Sequence, residues 1–159
     1  MTDALLQHGN AVQAALFCLL LLAASLWDMR MRMIPDTLSL LILLTGLLAC
    51  TPCKLLGALI GLPMLGGALL ADYAKVGGIG GGDVKLTAAC GVVLGIPAGT
   101  TGLCLGLGAF LLGYFVRVIF CKIKQLPSPS SALTAMPMAP FLSAGFIAVY
   151  FLDLGGFIT

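Results

Sequence analysis

The side chains able to do acid–base chemistry in this chain are few. There is one histidine, His8, and all six acidic residues are aspartates: Asp3, Asp28, Asp36, Asp72, Asp83 and Asp153. No HExxH zinc pattern occurs, and a Ser-Lys pair, though formally open, comes with no motif. Acid chemistry therefore falls to the aspartates. Two carboxylates held together cannot both ionise readily, so they share a proton and titrate as a pair. One then activates water while its partner protonates a carbonyl or a leaving amine, a hydrolysis that needs neither metal nor covalent intermediate.

Two of the aspartates stand in unusual segments. Asp28 begins Asp28-Met29-Arg30-Met31-Arg32-Met33-Ile34-Pro35-Asp36, directly after an apolar run. The arginines suit lipid phosphates, and on its own Asp28 reads equally as an interfacial partner for Arg30 or Arg32. Asp36 follows a proline and precedes Thr37-Leu38-Ser39-Leu40, the pattern of a helix N-cap. Asp83 closes Gly77-Gly78-Ile79-Gly80-Gly81-Gly82-Asp83, in which five of the six preceding residues are glycine. Such a run costs folding entropy and is useful chiefly where backbone must approach another chain or adopt positive φ. A protease that binds peptide backbone needs such access, and a flexible linker is the plain alternative. A phosphate-binding loop would require Gly-Lys-Ser/Thr, which is absent.

The elements that must carry these residues follow from composition. The 159 residues are 60% hydrophobic and 9% charged, with a mean hydropathy of +1.14, more apolar surface than one water-soluble core can hide. A bilayer must be the solvent. Apolar runs at about 11–27, 37–53, 55–71, 84–98, 100–120 and 138–155 are each close to the roughly 17–25 residues that a spanning helix needs. The expectation is an all-α, polytopic membrane protein of about six transmembrane helices, forming one integral membrane domain over residues 1–159. With the N-terminus outside, Arg30, Arg32, Lys75, Lys85, Arg117, Lys122 and Lys124 fall on the inner side and only Lys54 on the outer, as the positive-inside rule requires. The first run carries its arginines after it, the wrong polarity for a cleaved signal peptide, so it reads as a retained span. Gly57 and Gly61, Gly91 and Gly95, and Gly102 and Gly106 place small residues four apart, which lets helix backbones approach closely in lipid.

That topology gathers Asp28, Asp36, Asp72 and Asp83 at the inner face. It leaves His8, Asp3 and Asp153 outside, so no histidine-based triad can form at the inner rim. A charged aspartate mid-span costs about 2.5–3.5 kcal/mol on insertion scales, so placement at span ends has a plain physical reason too. Lys85 suits either an acidic group of a substrate or a lipid phosphate. Cys50-Thr51-Pro52-Cys53 is the sole CxxC, and one pair cannot build a four-cysteine zinc site. A disulfide in an oxidising compartment and two separate thiols are both open for it. The net charge of +2, with cations at the ends of apolar runs, gives no surface for nucleic acid.

Gly80-Gly81-Gly82-Asp83, followed by Val84-Lys85-Leu86, resembles the GxGD active-site motif of type IV prepilin peptidases. The Asp28 to Asp36 segment resembles that family's first catalytic segment, an aspartate followed by basic residues and an Ile-Pro-Asp/Asn turn. Met138-Ala139-Pro140-Phe141 is similar to the short proline-containing approach to the family's last span, so the likeness runs over nearly the whole chain. The resemblance implies an aspartic endopeptidase without a cofactor, in a bacterial cytoplasmic (inner) membrane, with Asp28 and Asp83 as the catalytic dyad at the cytosolic face. The implied substrate is a prepilin, with a short basic leader before an apolar helix, cut just after a glycine. Membrane lipid and pilus assembly machinery are the other implied partners. Substrate contacts are expected at Gly80, Gly82 and Lys85, and Asp72 is a candidate receiver for the basic leader. Larger family members also methylate the new N-terminus through a cytosolic domain with two CxxC pairs. The length here leaves no room for it, and the short form resembles the enzymes that serve Flp or tight-adherence pili.

Two other readings compete. A protease of the presenilin or signal-peptide-peptidase type would place a Tyr-Asp motif mid-membrane, whereas Asp28 follows Trp27 at a span end. A small carrier or assembly protein would use inner-face aspartates to move ions or to pair with a partner's basic residues. A carrier usually keeps its acids near the midplane and shows repeat symmetry, and neither is visible in this chain.

Overall fold

Backbone N–H and C=O groups cannot stay unpaired in hydrocarbon, so a chain this apolar has to satisfy them within helices. The computed structural model describes residues 2–48, 52–73, 80–123 and 137–154, and every element among them is helical. In chain order these are α1 (Thr2–Met31), α2 (Asp36–Leu48), α3 (Pro52–Leu55), a 3-10 turn (Leu56–Ile60), α4 (Gly61–Tyr73), α5 (Gly81–Leu94), α6 (Ile96–Ile123) and α7 (Ala139–Leu154). Two stretches are long and apolar enough to cross a bilayer, Val12–Met31 in α1 and Ile96–Cys121 in α6. Shorter apolar helices cover Asp36–Leu47, Leu56–Leu70 and Ala139–Asp153.

The helix ends depart from the apolar runs in three places. α1 begins at Thr2, so His8 lies within it, and it runs on to Met31, which takes Asp28 into its last turn. The third run does not form one helix: it is broken into α3, the 3-10 turn and α4. The boundary between α5 and α6 falls at Gly95, with φ of +82°, and not at Pro97 to Gly99. Proline is tolerated in a helix's first turn because its missing N–H has no intrahelical role there, so Pro97 sits inside α6. Gly95 accepts a backbone conformation that a side chain would oppose.

α5 is the central helix, burying Leu86, Thr87, Cys90, Val92 and Val93 among its neighbours. Around it Phe17 and Leu21 of α1, Ile42 of α2, and Leu142 and Phe146 of α7 complete the core. α6 by contrast turns Leu111, Leu112, Phe115, Val116 and Ile119 outward, the surface that a lipid-facing helix presents. Close approach is made by small residues. A Cβ on Gly57 would meet the carbonyl oxygen of Gly91, and a Cβ on Gly91 that of Gly57. Gly102 and Gly106 of α6 lie against Phe146 and Leu142 of α7 in the same manner. Without a hydrophobic force between helices in lipid, such contact is what holds them together.

Lys75, Gly77 and Gly78, Lys124, and Cys50 with its question of a disulfide to Cys53 lie outside the described residues. The C-terminal end of α1 and the N-terminal ends of α2, α5 and α7 meet at one end of the bundle. Their contacts define the site.

Candidate active site

α1 ends through Arg32, whose N–H bonds to the Asp28 carbonyl at 2.9 Å while its own φ is 54°. A left-handed residue at this position terminates a helix, a role normally filled by glycine or asparagine. The chain then turns back through Met33 and Ile34 toward α5. Ile34 lies directly over Gly82, where a Cβ would stand 3.0 Å from the Ile34 Cβ. On the facing side Gly80 is extended, with φ −61° and ψ 135°, and its carbonyl accepts the Asp83 N–H at 3.0 Å. This starts α5 and sets Asp83 in its first turn, ahead of the apolar part of the helix.

The two segments enclose a cavity of about 240 Å³, lined by Asp28, Asp83, Arg32, Met33, Ile34 and Gly80 to Gly82. Both carboxylates are buried, Asp28 at 7% exposure and Asp83 at 9%. They are held differently. Asp28 Oδ2 accepts the backbone N–H of Ala139, the first residue of α7, at 3.1 Å. Asp83 Oδ1 is buried and has no hydrogen-bond partner among the described residues. Burial, and then the negative charge of Asp28, push the Asp83 carboxyl up to about 6 from an ordinary 3.8. Asp83 therefore keeps its proton closer to neutrality than a solvated carboxyl does.

Of the residues expected at a site, Asp28, Asp83, Gly80 and Gly82 come together around this cavity. Lys85 does not line it. Its Nζ donates to Asp36 Oδ1 and Oδ2 at 2.8 and 2.7 Å, joining the start of α2 to the start of α5. Asp36 is accordingly the first helical residue of α2, with its carboxylate turned to Lys85 instead of capping the helix. Asp72 is exposed at the end of α4, away from the cavity lining. The interfacial pairing of Asp28 with Arg30 or Arg32 is not formed; among the described residues Lys85–Asp36 is the ion pair. Arg32, Met33, Ile34, Gly81 and Ala139 were not singled out as site residues. Ile34 and Ala139 stood inside segments visible as motifs, but nothing in their residue types announces a contact. Among the described residues no three His, Cys, Asp or Glu side chains converge as a metal site would require.

An apolar helical bundle with two buried carboxylates at one end is a membrane protein equipped for carboxylate chemistry. The chain belongs to the type IV leader peptidase family, whose model matches residues 15–152 and so includes both aspartates. The prepilin leader peptidase/N-methyltransferase of Bacillus subtilis (strain 168) is 28% identical over 144 residues, which are 86% of this chain and 54% of that protein. The chain thus spans about half the length of this curated relative. No solved structure matches it significantly.

Proposed function

We propose that the chain is a membrane aspartic endopeptidase that removes the short basic leader from type IV prepilins, with Flp-type pilins and pseudopilins as the substrate class, and that Asp28 and Asp83 are its dyad. The observation that carries this is the shared cavity: two buried aspartates from distant segments, both within the family-matched region, line one space. In the reaction, the oxygen of a water bonds to the scissile carbonyl carbon and a water proton passes to Asp28. The Asp83 proton moves to the carbonyl oxygen, giving a neutral tetrahedral diol. As the C–N bond breaks, Asp28 returns its proton to the leaving amine and a diol hydroxyl returns one to Asp83. Both carboxyls end as they began.

Gly80 and Gly82 line the cavity wall, where a substrate backbone would run along the glycine segment, although the space beside Gly82 is taken by Ile34. Lys85 reaches a substrate only by parting from Asp36. The distribution of cations favours six spans in a bacterial cytoplasmic membrane with this end of the bundle at the cytosolic face, where a prepilin's basic leader would meet it. Asp28→Asn and Asp83→Asn, each co-expressed with a prepilin at matched membrane levels, should lower cleavage at least about 10³-fold while leaving the protein folded. Cleavage at the wild-type rate by either variant would remove these aspartates from the mechanism.

A further inference from the structure

Asp28 leaves α1 in its last turn, where the helix dipole disfavours negative charge. What meets its carboxylate is the opposite end of another helix. Ala139, at 0% exposure, opens α7 and gives its N–H to Asp28 Oδ2 across 111 residues of sequence. A helix start leaves its first N–H groups without intrahelical partners. In α7 these are accounted for one by one: Pro140 has none, Phe141 and Leu142 both bond back to the Met138 carbonyl at 3.2 Å, and Ala139 is left to donate to the carboxylate. The proline-containing segment Met138 to Phe141 thus presents a single directed donor to Asp28.

We propose that the Ala139 backbone N–H is a positioning group for the dyad, holding Asp28 Oδ2 as a fixed acceptor so that Oδ1 takes the proton of the attacking water. This rests on the aspartic peptidase reading above. The asymmetry of the pair supports it. One carboxylate is anchored by a directed bond, and the other, with its Oδ1 unpartnered among the described residues, is left to carry and hand over the shared proton.

The test removes one hydrogen. A backbone ester at the linkage to Ala139 deletes the N–H with the methyl side chain unchanged, and Ala139→Pro deletes it too while setting a ring carbon against Asp28 Oδ2. Both should lower kcat about 10- to 100-fold, and the ester should leave KM within about twofold, because it disturbs only the geometry of the reacting group. Ala139→Gly, which keeps the N–H, should lose less in kcat than either variant that lacks it. Wild-type kcat in either variant lacking the N–H would overturn the proposal. So would loss of the folded state in both of them while Ala139→Gly folds, which would make the contact a structural cap only. Asp28→Asn measured alongside separates the two levels. If it cleaves, the dyad itself is wrong; if it is inactive while the ester turns over normally, only the role of Ala139 falls.

Discussion

Asp83 is a carboxyl that the fold holds at a cost. Its shift to about 6 means that the folded state binds this proton more tightly than the unfolded chain, where the group titrates near 3.8. The stability it contributes is therefore fully present below about pH 4 and is lost as pH rises through about 6. Asp83→Asn cannot ionise, so it should unfold at a higher temperature than wild type at about pH 8, by an amount worth up to roughly 3 kcal/mol. The difference should vanish near pH 4. Thermal unfolding in detergent at the two pH values would check it, and a variant less stable at the higher pH would contradict the burial argument. That acid chemistry falls to aspartates was legible from residue types, since a chain with one histidine leaves little else; the choice of Asp28 and Asp83 came from the motifs, and the structure brings these two to one cavity. How each is held was not legible. The Ala139 contact and the Lys85–Asp36 pair join residues far apart in sequence, and only the packed bundle brings them within reach.

Among the elements, the rough placement of the helices could be read from the apolar runs, but not where helices stop. Gly95 terminates α5 by its own backbone, a position that a hydropathy pattern treats like any other glycine. Arg32 does the same for α1 with a residue that carries no such signal. The break of the third run into α3, a 3-10 turn and α4 coincides with Gly57 lying on Gly91. Glycine spacing predicted that kind of contact without predicting its partner. The contact gives a sharp contrast between chemically identical changes. Gly91→Ala drives a methyl into the Gly57 carbonyl and should destabilise by about 1–3 kcal/mol. Gly108→Ala in α6, where a Cβ meets nothing within 4 Å, should be neutral or stabilise by up to about 1 kcal/mol. Unfolding midpoints of the two variants in one detergent would decide it. Equal effects would mean that the α5 crossing is looser than it looks.

For the molecule as a whole, the bundle has two distinct ends. Asp28, Asp36, Asp83 and Lys85 share one of them. Lys54 lies by Gly95, its Cγ 3.8 Å from where a Cβ would stand, at the far end of α5. If the chain sits with its site at the cytosolic face, a cysteine in place of Lys54 in a cysteine-free background should react with an impermeant maleimide on intact cells. One in place of Asp36 should react only after permeabilisation. Labelling of both from the same side would overturn the six-span arrangement, since these two positions would then not be separated by the membrane. The all-helical class was readable from composition because lipid permits little else. The meeting of four helix ends at one end of the bundle was not, because it depends on crossing angles and contacts that no periodicity encodes.

The hydrogen bond from Ala139 to Asp28 also sets an order of events. The two residues are 111 positions apart, and α7 is the last helix among the described residues. During synthesis both aspartates and the whole cavity wall leave the ribosome before the donor that fixes one of them exists. A nascent or truncated chain holds the reactive groups without their anchor. On the role proposed for Ala139, hydrolytic competence arrives only once α7 has been inserted.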